Sequence, residues 1–378
     1  MSRALQLARR HWFKVAAVVV VAYVFIFHVE WDEFGLAFAG VSWLFVFLAV
    51  MANLSSIMFK VASWKIIFDY VEGFHGRWRD LTSAVMIGFL VNALVPARMG
   101  EVARAYTISR REAIRGKDIS RSTVVGTIVL ERVSDGVVMA LLVIYGIAQM
   151  DLPSWARRGA IALIAISFSI AALLVALELK REKISSGAAV AAAGRREHHP
   201  WWRRLSVTIY GVIARFSEGQ QVLRSPLRVA SIFSTTSTAW ISQLMAVFFS
   251  LHAFQLGGNT FEDGITRALL LLILINVAGA LPATPGNVGV FQLATVIPLV
   301  ATYDISKTTA LAFSIGLQAI EGSIGVGLGS LSLLREGLTL KQVRSQSVGE
   351  FSPAEKAARR QGLPEGESPR TAARNSNK

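Results

Sequence analysis

Apolar residues in this chain come in long uncharged blocks rather than amphipathic stripes. Uncharged runs cover 34–59, 81–97, 159–177, 229–261 and 268–303. Several are long enough to cross a hydrocarbon core of roughly 30 Å as helices, which takes about 20 residues. The pattern predicts spanning helices over 12–29, 41–59, 122–149, 159–179, 229–256 and 308–334. Two segments fit badly. Segment 81–96 ends at Pro96 and is followed by the polar stretch 100–112, while 268–303 is uncharged throughout and is divided by Pro282, Pro285 and Gly286. We read both 81–96 and 264–302 as re-entrant helical hairpins, because broken backbone survives at membrane depth only where protein or water covers it. Two tilted full spans over 264–302 would keep the same topology. The expected fold is therefore an all-α integral membrane protein, with about six spanning helices plus two re-entrant hairpins.

The two breaks are related. Residues 96–102 read Pro-Ala-Arg-Met-Gly-Glu-Val and residues 282–288 read Pro-Ala-Thr-Pro-Gly-Asn-Val, with Pro, Ala, Gly and Val matching at one constant offset, about half the chain. A span bearing an embedded glutamate follows each break, Glu131 after the first and Glu321 after the second. Three spans and one hairpin per half make the second half upside-down relative to the first. That is the inverted-repeat arrangement of many transporters, with repeat one at about 12–150 and repeat two at about 159–335.

Charge fixes the expected orientation. The chain carries 39 Lys and Arg against 25 Asp and Glu, a formal charge of +14. The N-terminus holds four basic residues (Arg3, Arg9, Arg10 and Lys14), four lie in 60–80, seven in 98–121, ten in 180–228 and nine in 335–378, whereas 28–40 has none. Basic loops stay cytoplasmic, so both termini are expected inside. The excess is a topology signal and an attraction to anionic lipid. No nucleic-acid recognition module accompanies it. Residues 1–40 fit a retained first span better than a cleaved signal, because an acidic stretch separates the apolar run from Ala37-Phe38-Ala39. Trp12, Trp31, Trp78, Trp155, Trp201 and Trp202 sit near predicted span ends, where indoles anchor at the interface. Within the membrane domain of 1–340, residues 180–228 read as a basic cytoplasmic loop. The polar tail 341–378 reads as disordered.

Composition removes several chemistries. With 53% apolar and 17% charged residues and a mean hydropathy of +0.48, a simple soluble enzyme is excluded. The absence of cysteine removes disulfides, zinc ribbons, iron–sulfur clusters and thiol nucleophiles. His198 and His199 lack further ligands at metal spacing, and no nucleotide-binding loop is present. No metal or cofactor is expected.

Intramembrane charge is the sharpest signal. Glu131, Arg132 and Asp135 lie near the middle of predicted helix 122–149. Each costs roughly 2.5–3.5 kcal/mol at a helix centre if unpaired, so such residues pair inside the protein or face a wet cavity. Positions 131 and 135 share one face and Arg132 points about 100° away. Past Pro96, a helix starting near Gly100 would aim its positive end inward, with Arg98 and Arg104 beside it. This is an arrangement suited to phosphate oxygens. Glu101 is placed to hold this elbow by pairing with Arg132 or Arg104. The matching elbow, Pro285-Gly286-Asn287, is polar but uncharged. A buried clamp that merely locks helices is the competing reading of the charges, and simple kinking that of the prolines. Asn92 and Asn276 precede the breaks and are expected to bond freed carbonyls. Gly322, Gly325, Gly327 and Gly329 suit close helix packing.

The string Asn92-Ala-Leu-Val-Pro-Ala-Arg-Met-Gly-Glu-Val-Ala-Arg104, then Glu131-Arg-Val-Ser-Asp135, then Pro282-Ala-Thr-Pro-Gly-Asn-Val-Gly289, resembles the lysylphosphatidylglycerol synthase transmembrane-region family, also called flippase-like. The resemblance covers about 12–335. It implies a bacterial inner-membrane protein that moves or handles lipids, in some members beside a soluble aminoacyl-transferase domain. The stretch that follows Leu334 here is too short for that domain, so lysyl-lipid synthesis is not expected. The chain departs from the family pattern at Asn287, where a second glycine is usual, and at Gln292, where an acid is usual.

The resulting expectation is a non-enzymatic lipid transporter. Arg98, Arg104 and the helix start at Gly100 would receive an anionic headgroup, and Glu101, Glu131, Arg132 and Asp135 would exchange ion-pair partners as it enters. Pro285, Gly286, Asn287 and Glu321 would serve the outward half. Its partners are membrane lipids and, as a further option, a lipid-processing enzyme. A non-transporting accessory protein and a membrane-embedded lipid-modifying enzyme are the alternatives.

Overall fold

The computed structural model describes residues 30–94, 99–117, 119–149, 154–179, 218–279, 284–339 and 342. The predicted span 12–29, Pro96, Arg98, Pro282, most of the basic loop and the tail lie outside these residues. The described residues form ten α-helices, two 3-10 turns and no strands. The helices are α1 (Trp31–Ala39), α2 (Trp43–Phe68), α3 (Trp78–Leu94), α4 (Gly100–Ile114), α5 (Arg121–Gln149), α6 (Ser154–Leu179), α7 (Pro226–Ala253), α8 (Phe261–Gly279), α9 (Val290–Tyr303) and α10 (Lys307–Arg335). An α-helical membrane protein is what this set of elements makes.

Among the described residues, four helices are long and apolar enough to cross a bilayer: α2, α6 from Arg157 to Ala176, α7 and α10. The fifth predicted span, α5, has the length at 29 residues. It fails on composition because Glu131, Arg132 and Asp135 sit together in its middle. The sixth, 12–29, is outside the described residues. Helix α2 continues past the expected end at 59 to Phe68. Lys60 stops the apolar run but not the helix, because its ammonium lies 4.8 Å from the centroid of the Trp240 ring, and Lys65 pairs with Asp69 one turn on. Helix α1 occupies a stretch that the sequence pattern left between spans.

The described chain divides into two compact units, and the division falls inside α2, α7 and α10. One unit holds residues up to Leu54 and Ile241–Gly322. In it α8 and α9 pack as a hairpin, and the Arg267 guanidinium lies over the Tyr303 ring at 4.3 Å, joining the hairpin's open end. Phe254 is central to the core, edge-on to both Phe38 and Phe313. Phe254 also fills the space beside Gly316, where a Cβ would collide with its ring.

The other unit holds Ser55–Trp240 and the residues from Ser323 onward. Here α3 and α4 form an antiparallel pair of 17 and 15 residues. Their crossing is tight. A Cβ on Gly100 would strike the Gly88 carbonyl oxygen, and a Cβ on Gly88 would meet Arg104 Cγ at 2.8 Å. The open end is closed by ions: Arg111 and Arg115 near the end of α4 both reach Asp80 at the start of α3. Arg111 also grips Glu336 just past α10 at 2.5 Å, and Ser83 donates to the same carboxylate at 2.8 Å. Gly325 and Gly329 of α10 seat against Phe89, Met86 and Leu90 of α3, as close packing requires, while Gly322 and Gly327 face open space.

Helix boundaries repeat along the chain. Helix α5 covers 121–149 and α10 covers 307–335, displaced by the same offset that relates the two Pro-Ala-containing breaks. That offset also relates α2 to α7, α3 to α8 and α4 to α9, with small differences at the ends.

Candidate functional site

The charge pocket is built by α2, α4, α5 and α7 within the second unit. Its deepest part is a closed pair. Arg104 Nη2 donates to Glu131 Oε2 at 2.5 Å, and both residues are only 3% exposed. The guanidinium carbon lies 4.1 Å from the Trp64 ring centroid, and the Trp64 indole N–H donates to Thr127 Oγ1 at 3.0 Å. A cation over an aromatic face, with its carboxylate partner at the other end, is held from two directions.

A second, more accessible group lies on the neighbouring face of α5. Arg132 bridges Asp135 at 3.2 Å and Glu101 at 3.3 Å, and its side chain remains 41% exposed, with that of Glu101 at 32%. Asp135 is buried and accepts from the Trp240 indole N–H at 3.0 Å. The arithmetic of α5 explains this division. Positions 131 and 135 face inward together, and residue 132 between them is turned about 100° away. Lys60, Arg104 and Arg132 stand against Glu101, Glu131 and Asp135, so this set of six carries no net charge.

The first elbow is capped by a side chain. Gly100 N–H donates to Asn92 Oδ1 at 2.7 Å, so Asn92 satisfies a freed amide rather than a freed carbonyl. Asn276 donates to Leu272 O within its own helix at 2.8 Å. Helix α4 starts at Gly100 as expected, and Arg98 lies outside the described residues.

The second elbow differs from expectation. Residues 285–287 form a 3-10 turn, and α9 begins at Val290 rather than near Gly286. Gly286, Asn287 and Gly289 have φ of 63°, 56° and 87°, values that a right-handed helix cannot include. Gln318 Nε2 donates to Gly286 O at 2.9 Å. Gln292 receives the Gly289 N–H at 2.6 Å and donates to Gln318 Oε1 at 2.6 Å. Glu321 accepts from Gln243 Nε2 at 3.1 Å, and Asn53 donates to the carbonyls of Ile320 and Glu321.

Glu101, Arg104, Glu131, Arg132 and Asp135 are thus brought together, as are Gly286, Asn287 and the span that carries Glu321. Residues missed from the sequence are Trp64, Lys60, Trp240 and Gln318. Gln318 had a signal: it occupies the position that the repeat offset pairs with Arg132. Each reaches toward its own elbow, Arg132 to Glu101 as an ion and Gln318 to the Gly286 carbonyl as an amide. By the same offset Glu321 corresponds to Asp135, not to Glu131. The tryptophans carried no signal beyond apolar character, because their indole N–H partners come from other helices.

This fold and pocket define a helical membrane protein with a charge cluster inside its helix bundle. The chain matches the Lysylphosphatidylglycerol synthase TM region family over residues 12–329, and it belongs to that family. It is 24% identical over 303 residues to Glycosyltransferase AglD of Haloferax volcanii, an alignment covering 73% of this chain and 47% of that protein. The chain spans about half the length of the curated relative it matches. No solved structure matches it.

Proposed function

We propose that the chain is a flippase-like lipid transporter of the bacterial inner membrane, non-enzymatic, with both termini cytoplasmic. Its cargo is a lipid with an anionic headgroup. The observation that carries this reading is Arg132, a 41% exposed cation in the middle of a membrane-length helix, held between two carboxylates. An incoming phosphate competes with Glu101 for the guanidinium fork, and Glu101 is able to swing because it too is accessible. Arg104 and Glu131 act as the fixed clamp behind this exchange, since 3% exposure leaves no room for a headgroup. Arg98 stands next to the elbow in sequence and is the second cation offered to the phosphate. Gly286, Asn287 and Glu321 serve the outward half, where amides replace ions. The constant offset between corresponding helices supports a repeat, and three spans with one re-entrant hairpin in each half would make it an inverted one.

A headgroup-accessibility assay in proteoliposomes tests the reading. Arg132→Gln should lower translocation of an anionic phospholipid at least tenfold, with Arg132→Lys retaining part of it. Unchanged translocation after replacing both Arg98 and Arg132 discards the mechanism.

The alignment to a protein named as a glycosyltransferase favours a second reading, in which this membrane domain serves a lipid-linked sugar pathway as an accessory to a separate enzyme. Loss of pathway output on deleting 180–228, together with full output from Arg132→Gln, would select it.

A further inference from the structure

Away from the charge pocket, the second unit has a cleft of about 270 Å³ where α2 ends, α3 begins and α7 begins. Ala62 and Ile66 form an apolar wall on α2, and Tyr70 and Trp78 supply aromatic edges. Lys65 and Arg228 bring positive charge. Asp69 also lines the cleft, but its carboxylate is already committed: Lys65 pairs with one oxygen and the Gly76 N–H donates to the other at 2.7 Å. That leaves Arg228 as the cation without an ion pair among the described residues. Arg77 and Arg79, on either side of Trp78, are exposed and likewise make no ion pair there. Glu72 is the one exposed acid in the connecting loop 69–77.

We infer that this cleft is a binding site for an anionic phospholipid, separate from the Arg132 pocket. The lining has the amphiphile's own order. An acyl chain fits the Ala62 and Ile66 wall on the membrane side, the glycerol region fits between Tyr70 and the half-exposed Trp78, and the phosphate meets Arg228. Indole and phenol rings settle at headgroup depth because one end of each is apolar and the other wet. A lone basic side chain beside them attracts an anionic lipid over a zwitterionic one. A soluble phosphate would gain only the last of these contacts.

The test uses the full chain purified in mild detergent, with native mass spectrometry and thermal shift as readouts. The probes are phosphatidylglycerol, phosphatidylcholine and glycerol 3-phosphate. Phosphatidylglycerol should be retained over phosphatidylcholine, with Arg228→Gln lowering that retention roughly fivefold, the weight of one basic residue near an anionic surface. Trp78→Ala should lower retention of both lipids. Both side chains are exposed, so the unliganded Tm should hold, and the loss caused by Arg228→Gln should be the same fold-change in an Arg132→Gln background as in the wild type. Equal retention of the two lipids, indifference to Arg228→Gln, or an equal shift from glycerol 3-phosphate overturns the proposal. Retention lost in Arg132→Gln but kept in Arg228→Gln overturns it in favour of the charge pocket as the lipid site.

Discussion

Arg104 and Trp64 are stacked, guanidinium over indole at 4.1 Å, with Glu131 closing the other side of the cation at 2.5 Å. Breaking such a buried pair from one side leaves an uncompensated charge, whereas removing both charges together does not. Glu131→Leu should therefore destabilise the protein by about 3–5 kcal/mol, read as a large fall in Tm in detergent. Arg104→Met combined with Glu131→Leu should recover most of that loss. If the double variant is no better than the single, the pair is not the clamp we describe.

The α3–α4 crossing leaves no room for side chains at its closest point. Gly100→Ala puts a methyl group against the Gly88 carbonyl and the Asn92 amide, so the hairpin must separate. We expect poor expression or early unfolding from this variant. Asn92→Ala removes one cap hydrogen bond and should cost about 1 kcal/mol, with the fold intact in circular dichroism.

At the second elbow, Asn287 holds a left-handed conformation with φ 56°. Asn287→Gly should be neutral or slightly stabilising, since glycine enters this region without steric cost. Asn287→Ala should cost about 1–2 kcal/mol. Equal Tm values for the alanine and glycine variants would contradict the turn geometry.

Glu33, on the short helix α1, accepts from the Ser306 hydroxyl and from Thr309 Oγ1. These bonds hold its pKa below the ordinary carboxylate value against a smaller opposing effect of desolvation. A lowered folded-state pKa gives stability that is complete above the unfolded-state value and lost as pH falls through the folded one. Replacing Ser306 and Thr309 by alanine should lower stability at neutral pH and flatten its dependence across the acid range. A wild-type acid limb unchanged by both substitutions would count against the contact.

The ionic closure of the α3–α4 hairpin should respond to salt and acid but not to base. Hydrogen bonding to Glu336 raises the Arg111 pKa despite partial burial, and hydrogen bonding to Asp80 does the same for Arg115. Both cations therefore persist at high pH, and the network opens when Asp80 and Glu336 are protonated or screened. Glu336→Gln should lower Tm most at low ionic strength.

Much of this architecture was legible because hydrocarbon imposes simple demands. Uncharged runs marked α2, α6 and α7, two such runs on either side of Glu321 marked α10, and the three charges in α5 announced a protein-lined interior. The Pro and Gly break located both hairpins, and the offset between the two breaks matched the helix boundaries that the structure gives. The extension of α2 past Lys60 was hidden because the ammonium is accommodated by Trp240, which lies in a distant part of the sequence. The division of the charges into a closed pair and an accessible bridge was hidden as well. Residue spacing places Glu131 and Asp135 on one face, but which cation each meets depends on where α4 crosses α5. The second elbow was misread as a helix start because φ > 0 at Asn287 cannot be inferred from its position after a glycine alone.

The equality of three cations and three carboxylates around α5 has an electrical meaning. A transmembrane voltage does work on charge displaced along its direction, about 2.3 kcal/mol for each elementary charge carried across 100 mV, and these six side chains displace no net charge when they shift together. Under the proposed exchange, rearranging them draws little current, and the field acts on the travelling headgroup instead. The sign and number of charges on the cargo then decide how strongly voltage favours one leaflet over the other.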